Sequence, residues 1–187
     1  MGTPPEVLLD RFLRSDLRRA ADREMYRGKK DLERLEPGLG SLLTSVQTTL
    51  NKALSQRGNT FARGRASNFH FDYVDATRSN AMAFELEGYA FIVVTMPLIE
   101  ELWQTCDQLS RSVQVMGHLK QVATDQQRTA VLAQLFATQL SFVVAHEFAH
   151  HDRGHLPHQD SSTDLWNEIP TGGTAGSLEQ QAQEGKP

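Results

Sequence analysis

The chain has 187 residues, of which 39% are hydrophobic and 22% charged, and its formal net charge is −4. This composition is typical of one globular domain with an appendage at most, and it excludes disordered and fibrous proteins. The single cysteine, Cys106, excludes an internal disulfide and a thiolate zinc site, so any metal must be held by His and carboxylate side chains.

The N-terminal residues lack the basic segment and apolar core of a signal peptide, so we expect a cytoplasmic chain. The most apolar windows, 88–99 and 130–149, are respectively too short and interrupted by polar residues, so we expect no membrane span. The first 67 residues carry 13 Lys and Arg against 8 Asp and Glu. These charges alternate in sign as on a solvated helix face, so we expect no nucleic-acid partner.

Apolar residues at three- and four-residue spacing predict a first helix over 8–21 and a second over 39–54. Strict alternation predicts a strand over 69–74. A run of aromatic and β-branched residues, which Met96-Pro97 ends, predicts another strand over 88–95. The first part of the chain therefore combines helices with at least two strands.

Further helices are predicted over 98–109 and, as the longest element, over about 126–153. Apolar residues surround most of the circumference of this long helix, so we expect it to be central and buried. Gly154 ends it, and a loop rich in Pro and Gly follows. The whole pattern predicts an α+β fold, with a helical N-terminal region over 1–67 and a mostly helical core with a small sheet over 68–187.

The long helix carries the sequence His146-Glu147-Phe148-Ala149-His150 near its C-terminal end. Residues four apart lie on one helix face, so both imidazoles can bind one zinc at about 2.0–2.1 Å. Glu147 is then placed to take a proton from a water molecule that the zinc activates. Alternatively, the two histidines are hydrogen-bonded core or interface residues. Burying them on an apolar helix costs free energy unless something compensates, which favours the metal site.

Two segments resemble the gluzincin zinc metallopeptidases, in particular the M48 (Ste24/HtpX-like) family: HEFAHHDRGH from His146, and SNAMAF from Ser79 followed by GYAFIVVT. In that family an Asn-Ala-x-Ala segment leads into a strand above the active-site helix. The resemblance covers about 72–155 and implies a zincin-like fold, a zinc cofactor and hydrolysis of a polypeptide substrate. It makes four residues candidates for substrate binding: Asn80, Ala81, Gly88 and Tyr89. We expect the 88–95 strand to bind an extended peptide at the sheet edge.

The third zinc ligand is expected downstream. A metzincin would have Gly and a third His where this chain has Arg153 and Leu156. The resemblance instead implies a carboxylate, with Glu184 first and Glu179 second among the five available, which also include Asp160, Asp164 and Glu168. The family's next conserved Asp would fall after Pro187, so the sequence leaves open a site whose third-ligand helix is incomplete.

Other residues remain open candidates. His155, Tyr89 or Tyr73 could stabilise an oxyanion, and the sequence does not choose among them. We expect the remaining histidines to be solvent or interface residues: His70, His118, His151 and His158. Besides the metallopeptidase, two hypotheses stay open: a zincin-like binding or regulatory module without catalysis, and N-terminal helices that form a cap over the cleft. The sequence does not determine the oligomeric state.

Overall fold

The protein is described here from a computed structural model, which covers residues 2–16, 25–58, 68–118 and 124–153. In chain order, its elements are α1 (Pro5–Arg11), a π-helical turn (Phe12–Asp16), β1 (Tyr26–Lys29), a 3-10 turn (Leu32–Arg34), α2 (Pro37–Gly58), β2 (Asn68–Ala76), β3 (Ala81–Leu86), β4 (Tyr89–Thr95), α3 (Met96–Arg111), α4 (Val113–His118) and α5 (Asp125–Arg153). Helices and one mixed sheet confirm the α+β class.

The four described strands lie in the order β1-β2-β4-β3. β2 and β4 are parallel, with Phe71 opposite Ile92, whereas β1 and β3 run antiparallel to their neighbours. β4 is therefore an inner strand with a partner on each side. Our expectation that the 88–95 strand forms the sheet edge is wrong, because the preceding hairpin puts β3 outside it.

A two-residue turn joins β3 to β4 at Glu87 and Gly88, since Leu86 pairs with Tyr89. Both turn residues have positive φ, 48° and 83°. This conformation suits the twist of a β-hairpin and favours glycine, which has no Cβ to clash with the backbone. Gly88 is thus explained by the turn itself.

The sheet has an apolar cluster on each face because side chains alternate along every strand. On one face, Phe71, Ile92 and Val94 pack with residues of α2, α3 and α5. On the other, Phe91 and Val93 pack with Leu8, Leu9 and Leu13 of the N-terminal segment. The helices therefore lie on both sides of the sheet, with α1 and α5 on opposite faces.

The described part of the N-terminal region belongs to the same sheet and core as the rest of the protein. β1 is a strand of the common sheet, and Leu43 and Leu54 of α2 belong to the same core as α5. The described part of 1–67 is thus neither purely helical nor separately packed. Since α1 lies on the sheet face opposite α5, it does not form a cap over α5.

α2 also protects β2 where β1 ends. The amide group of Asn51 accepts a hydrogen bond from Phe71 N at 2.7 Å and donates one to Phe71 O at 2.9 Å. Next to it, the carboxylate of Asp72, 1% exposed, accepts from Gln47 at 2.8 Å and pairs with Lys29 at 3.0 Å. Among the described residues, the Asn51 amide thus takes the place of a strand partner for Phe71, while Lys29 and Gln47 compensate for the buried charge of Asp72.

α5 buries one stripe rather than its whole circumference. Its buried residues recur every three or four positions: Phe136, Leu140, Val144 and Glu147. Phe142 is 75% exposed, so the expected burial on all sides is wrong for the residues that the structure describes. α5 is also the one described helix long and apolar enough to cross a membrane. Length and composition alone do not distinguish a membrane span from a core helix of a soluble protein, which meets the same conditions.

Truncating the buried stripe should cost much more stability than truncating the exposed face. Leu140→Ala removes a fully buried side chain and is expected to lower the free energy of unfolding by about 2–5 kcal/mol. Phe142→Ala, two residues away, should change it by less than about 0.5 kcal/mol. Urea unfolding followed by circular dichroism measures both. Equal losses for the two variants would contradict the orientation of α5.

Candidate metal centre

The last turns of α5 bring His146, Glu147 and His150 together at the border of its buried stripe. At about 100° per residue, His150 lies between His146 and Glu147 around the helix. Burial follows this order, because His146 is exposed, His150 is half-buried and Glu147 is only 5% exposed. The group therefore reaches from the protein interior to the surface, and a ligand could approach it from the exposed side.

Distances within this group suit a metal ion. The Nε2 atoms of His146 and His150 are 3.2 Å apart. Two nitrogen ligands at about 2.0–2.1 Å from a tetrahedral zinc lie roughly 3.3–3.4 Å apart, so the observed separation fits one zinc. One potential ligand atom from each of the three residues lies within 4.8 Å of the others. Imidazole and carboxylate are also donors that zinc prefers.

The same separation suits a hydrogen bond between the two rings. In that case, one Nε2 carries a proton and donates it to the other, and the rings meet edge to face with centroids 4.9 Å apart. A metal would take the place of that shared proton. Geometry alone is consistent with both states, and metal content distinguishes them.

His151 faces the sheet on the other side of Glu147. Its Nε2 donates a hydrogen bond to the main-chain oxygen of Phe91 at 3.0 Å, and its ring meets Phe69 edge to face at 5.3 Å. Burial lowers the pKa of His151 below its ordinary value, and nearby His150 lowers it further, against the opposing effect of the Phe91 hydrogen bond. His151 thus connects α5 to the inner strands β2 and β4 within the fold.

Asn80 and Ala81 are buried at the start of β3. The main-chain N–H of Asn80 donates to Thr95 Oγ1 at 2.8 Å, and the Asn80 side chain donates to the Tyr26 hydroxyl at 3.4 Å. These contacts join the 77–80 connection to the end of β4 and to β1. The connection crosses the end of β4 on its way from β2 to β3. The structure gives both residues a place in the fold; their role in substrate binding stays a prediction.

Gly88 and Tyr89 lie at the opposite end of the β3–β4 hairpin. Ala81 and Leu86 are five positions apart, or about 17 Å along the strand, so the four candidates are not gathered at one point. Tyr89 packs with the cluster on the α1 side, and its ring centroid is 6.0 Å from that of Phe91. The Tyr89 side chain therefore lies on the sheet face opposite α5.

The oxyanion candidates are also separated. Tyr73 is completely buried, and its hydroxyl donates to the Leu43 carbonyl at 3.2 Å, inside the core. Burial raises the pKa of Tyr73, and neighbouring Asp72 raises it further. The Tyr73 hydroxyl thus bonds inside the core and the Tyr89 ring lies on the sheet face opposite α5, and their role as oxyanion donors stays a prediction. His155 lies outside the described residues.

The predicted third ligands lie outside the described residues as well, since these end at Arg153: Glu184, Glu179, Asp160, Asp164 and Glu168. His158 also lies in that part of the chain, and the side chain of His118 is not described. Of the remaining histidines, His70 is half-buried and its Nε2 is 3.3 Å from Asp72 Oδ2, away from α5. The described part of the centre therefore consists of His146, Glu147 and His150.

Sequence reasoning missed the main-chain oxygen of Phe91, which receives the His151 hydrogen bond. A carbonyl has no residue-type signature, so no sequence pattern could identify it. It also missed the pairing of Lys29 with Asp72, for which a buried polar residue in the alternating 69–74 segment was the available signal. Both contacts link elements that are far apart in the chain.

Comparison of the chain with protein-family models, curated proteins and solved structures finds no match.

Replacing Tyr73 with Phe should weaken the fold without affecting the metal centre. Loss of the hydrogen bond to Leu43 O is expected to cost about 0.5–1.5 kcal/mol of unfolding free energy at pH 8. Because burial raises the pKa of this phenol above 10, its contribution is complete below pH 10 and is lost as the pH rises beyond it.

Unfolding in urea between pH 8 and pH 11 measures this effect. The parent should lose stability above pH 10 more steeply than Tyr73→Phe. An equally steep loss in the two proteins would contradict the assignment of Tyr73 to the core.

Proposed function

We propose that this chain is a zinc-dependent metallopeptidase of the gluzincin type, similar to the M48 (Ste24/HtpX-like) family, that hydrolyses peptide bonds in a polypeptide. The observation that carries the proposal is the convergence of His146, Glu147 and His150 in one group at the end of α5. The resemblance of the sequence on both sides of the motif supports it. So does the position of β3, the outer strand among those described, which begins within the Asn80-Ala81-Met82-Ala83 segment.

His146 and His150 would hold the zinc through their Nε2 atoms, which face each other at 3.2 Å. A carboxylate from the chain after Arg153 would complete the protein ligands, with Glu184 preferred and Glu179 second. When bound, zinc acts as a Lewis acid towards water and the peptide carbonyl. The exposed side of His146 would leave room for the substrate.

Glu147 would act as the general base and then as the general acid. Its carboxylate takes a proton from the attacking water and passes it to the nitrogen of the departing amine, so the peptide C–N bond breaks as a C–O bond forms. Burial at 5% exposure keeps bulk water away from this carboxylate. Its place beside both histidines limits its movement during the transfer.

β3 would present the peptide. Among the described strands it pairs with β4 only, and an extended peptide could add to its other side as a further strand. This assigns to β3 the function that the sequence analysis gave to the 88–95 strand. Main-chain recognition of this kind suits substrates of varied sequence.

Metal content tests the centre first. Protein purified without added metal should contain about one zinc per chain by mass spectrometry, and His146→Ala and His150→Ala should each reduce the content at least tenfold. His70→Gln is the matched control, because it removes a half-buried histidine outside the group. Retention of zinc by both alanine variants would exclude this site.

Glu147→Gln then tests the chemistry. The amide keeps the size of the side chain but cannot accept the proton, so cleavage of unfolded casein should fall about 10²–10⁴-fold while zinc content stays at the parent level. Zinc in the parent without Glu147-dependent cleavage would favour the second hypothesis, a metal-binding module without catalysis. Absence of zinc in a folded parent would favour the His146–His150 hydrogen bond.

A further inference from the structure

His150 lies in the last turn of α5 that the structure describes, three residues before Arg153. The buried residues of α5 reach only as far as Glu147, and turns with fewer buried contacts open more readily. A metal ligand in this turn gains a fixed direction from a contact outside the helix.

The described structure supplies one such contact next to His150 in the chain. The Nε2 of His151 donates to Phe91 O at 3.0 Å, across from α5 to β4. Since a carbonyl oxygen only accepts, the proton of the neutral ring is on Nε2. Phe91 pairs with Phe84 of β3, so the contact reaches the strand next to the sheet edge.

Aromatic packing keeps the His151 ring in place. Phe69 of β2 meets it edge to face at 5.3 Å, and the same Phe69 lies 5.0 Å from Phe148, one turn earlier on α5. The ring's Nδ1 is buried and has no hydrogen-bond partner among the described residues. A phenylalanine would avoid that cost, so the hydrogen bond to Phe91 is the property that distinguishes histidine here.

We infer that His151 is a positioning residue: it fixes the last turn of α5 to β4 and thereby sets the direction in which His150 presents its Nε2 beside His146. The inference rests on the proposed metal centre of the same helix. His151 does not touch the metal or the substrate. It holds the helical turn that contains His150 at a constant distance from β4, the strand with which β3 pairs.

Two variants of the full chain separate the hydrogen bond from the packing. His151→Phe keeps an aromatic ring against Phe69 but has no donor. His151→Gln loses the ring but places an amide N–H near the position of Nε2. Circular dichroism first checks that both variants are folded, and all later measurements use the folded proteins.

Hydrogen exchange of the amides in 148–153, measured without metal, tests directly whether the His151–Phe91 hydrogen bond holds this turn in place. We expect exchange at least tenfold faster in His151→Phe than in the parent, and within about threefold of the parent in His151→Gln. Parent-like exchange in His151→Phe would overturn the inference. Equally fast exchange in both variants would also overturn it, since packing rather than the hydrogen bond would then hold the turn.

Binding of Co²⁺, followed by its visible absorption bands, measures whether this contact affects the metal affinity of the His146 and His150 pair. His151→Phe should bind Co²⁺ at least tenfold more weakly than the parent, and His151→Gln should recover most of the affinity. Faster exchange with unchanged Co²⁺ affinity would reduce His151 to a structural residue and overturn the positioning role. A parent that binds no Co²⁺ would overturn the proposed function. The exchange measurement would still decide whether the His151–Phe91 hydrogen bond fixes the turn.

Discussion

The structure depends on the packing of one stripe of α5 against one face of the sheet. Phe136, Leu140 and Val144 are buried there, and their spacing sets the rotation of the helix about its axis. With that rotation fixed, Glu147 points inward while His146 stays exposed. The border position of the candidate metal group is thus a consequence of core packing.

The order of the strands determines which strand lies on the outside of the described sheet. β4 carries the most apolar run of the sheet and lies between β2 and β3, as expected for a strand buried on both faces. The hairpin at Glu87 and Gly88 then brings β3 to the outside. The 77–80 connection crosses the end of β4 and is secured by the hydrogen bonds between Asn80 and Thr95. Two short, polar connections, Thr77–Asn80 and the turn at Glu87 and Gly88, thus make β3 the outer strand of the described sheet.

Elements with a strong local pattern were predictable. The helices α2, α3 and α5 and the strands β2 and β4 lie where their periodicity places them. β1 has four residues, one of which is a glycine, and its strand geometry depends on pairing with β2 rather than on the β-propensity of its residues. The buried Asn80, predicted to bind substrate, occupies a junction whose hydrogen bonds come from β4 and β1. The expectation that α5 is buried around its circumference was wrong, because the apolar residues of a helix do not by themselves indicate which of them contact another element.

The sequence by itself determined the spacing of His146, Glu147 and His150, because a four-residue interval on a helix places two side chains on one face whatever surrounds them. It also determined the class of the fold, since the periods of helices and strands are local properties. Only the tertiary structure decided that Glu147 is the buried member of the group, that β3 is the outer strand next to β4 among the described strands, and that His151 bonds to Phe91 O. Each of these depends on contacts between segments distant in the chain, and such contacts leave no periodic trace in the sequence.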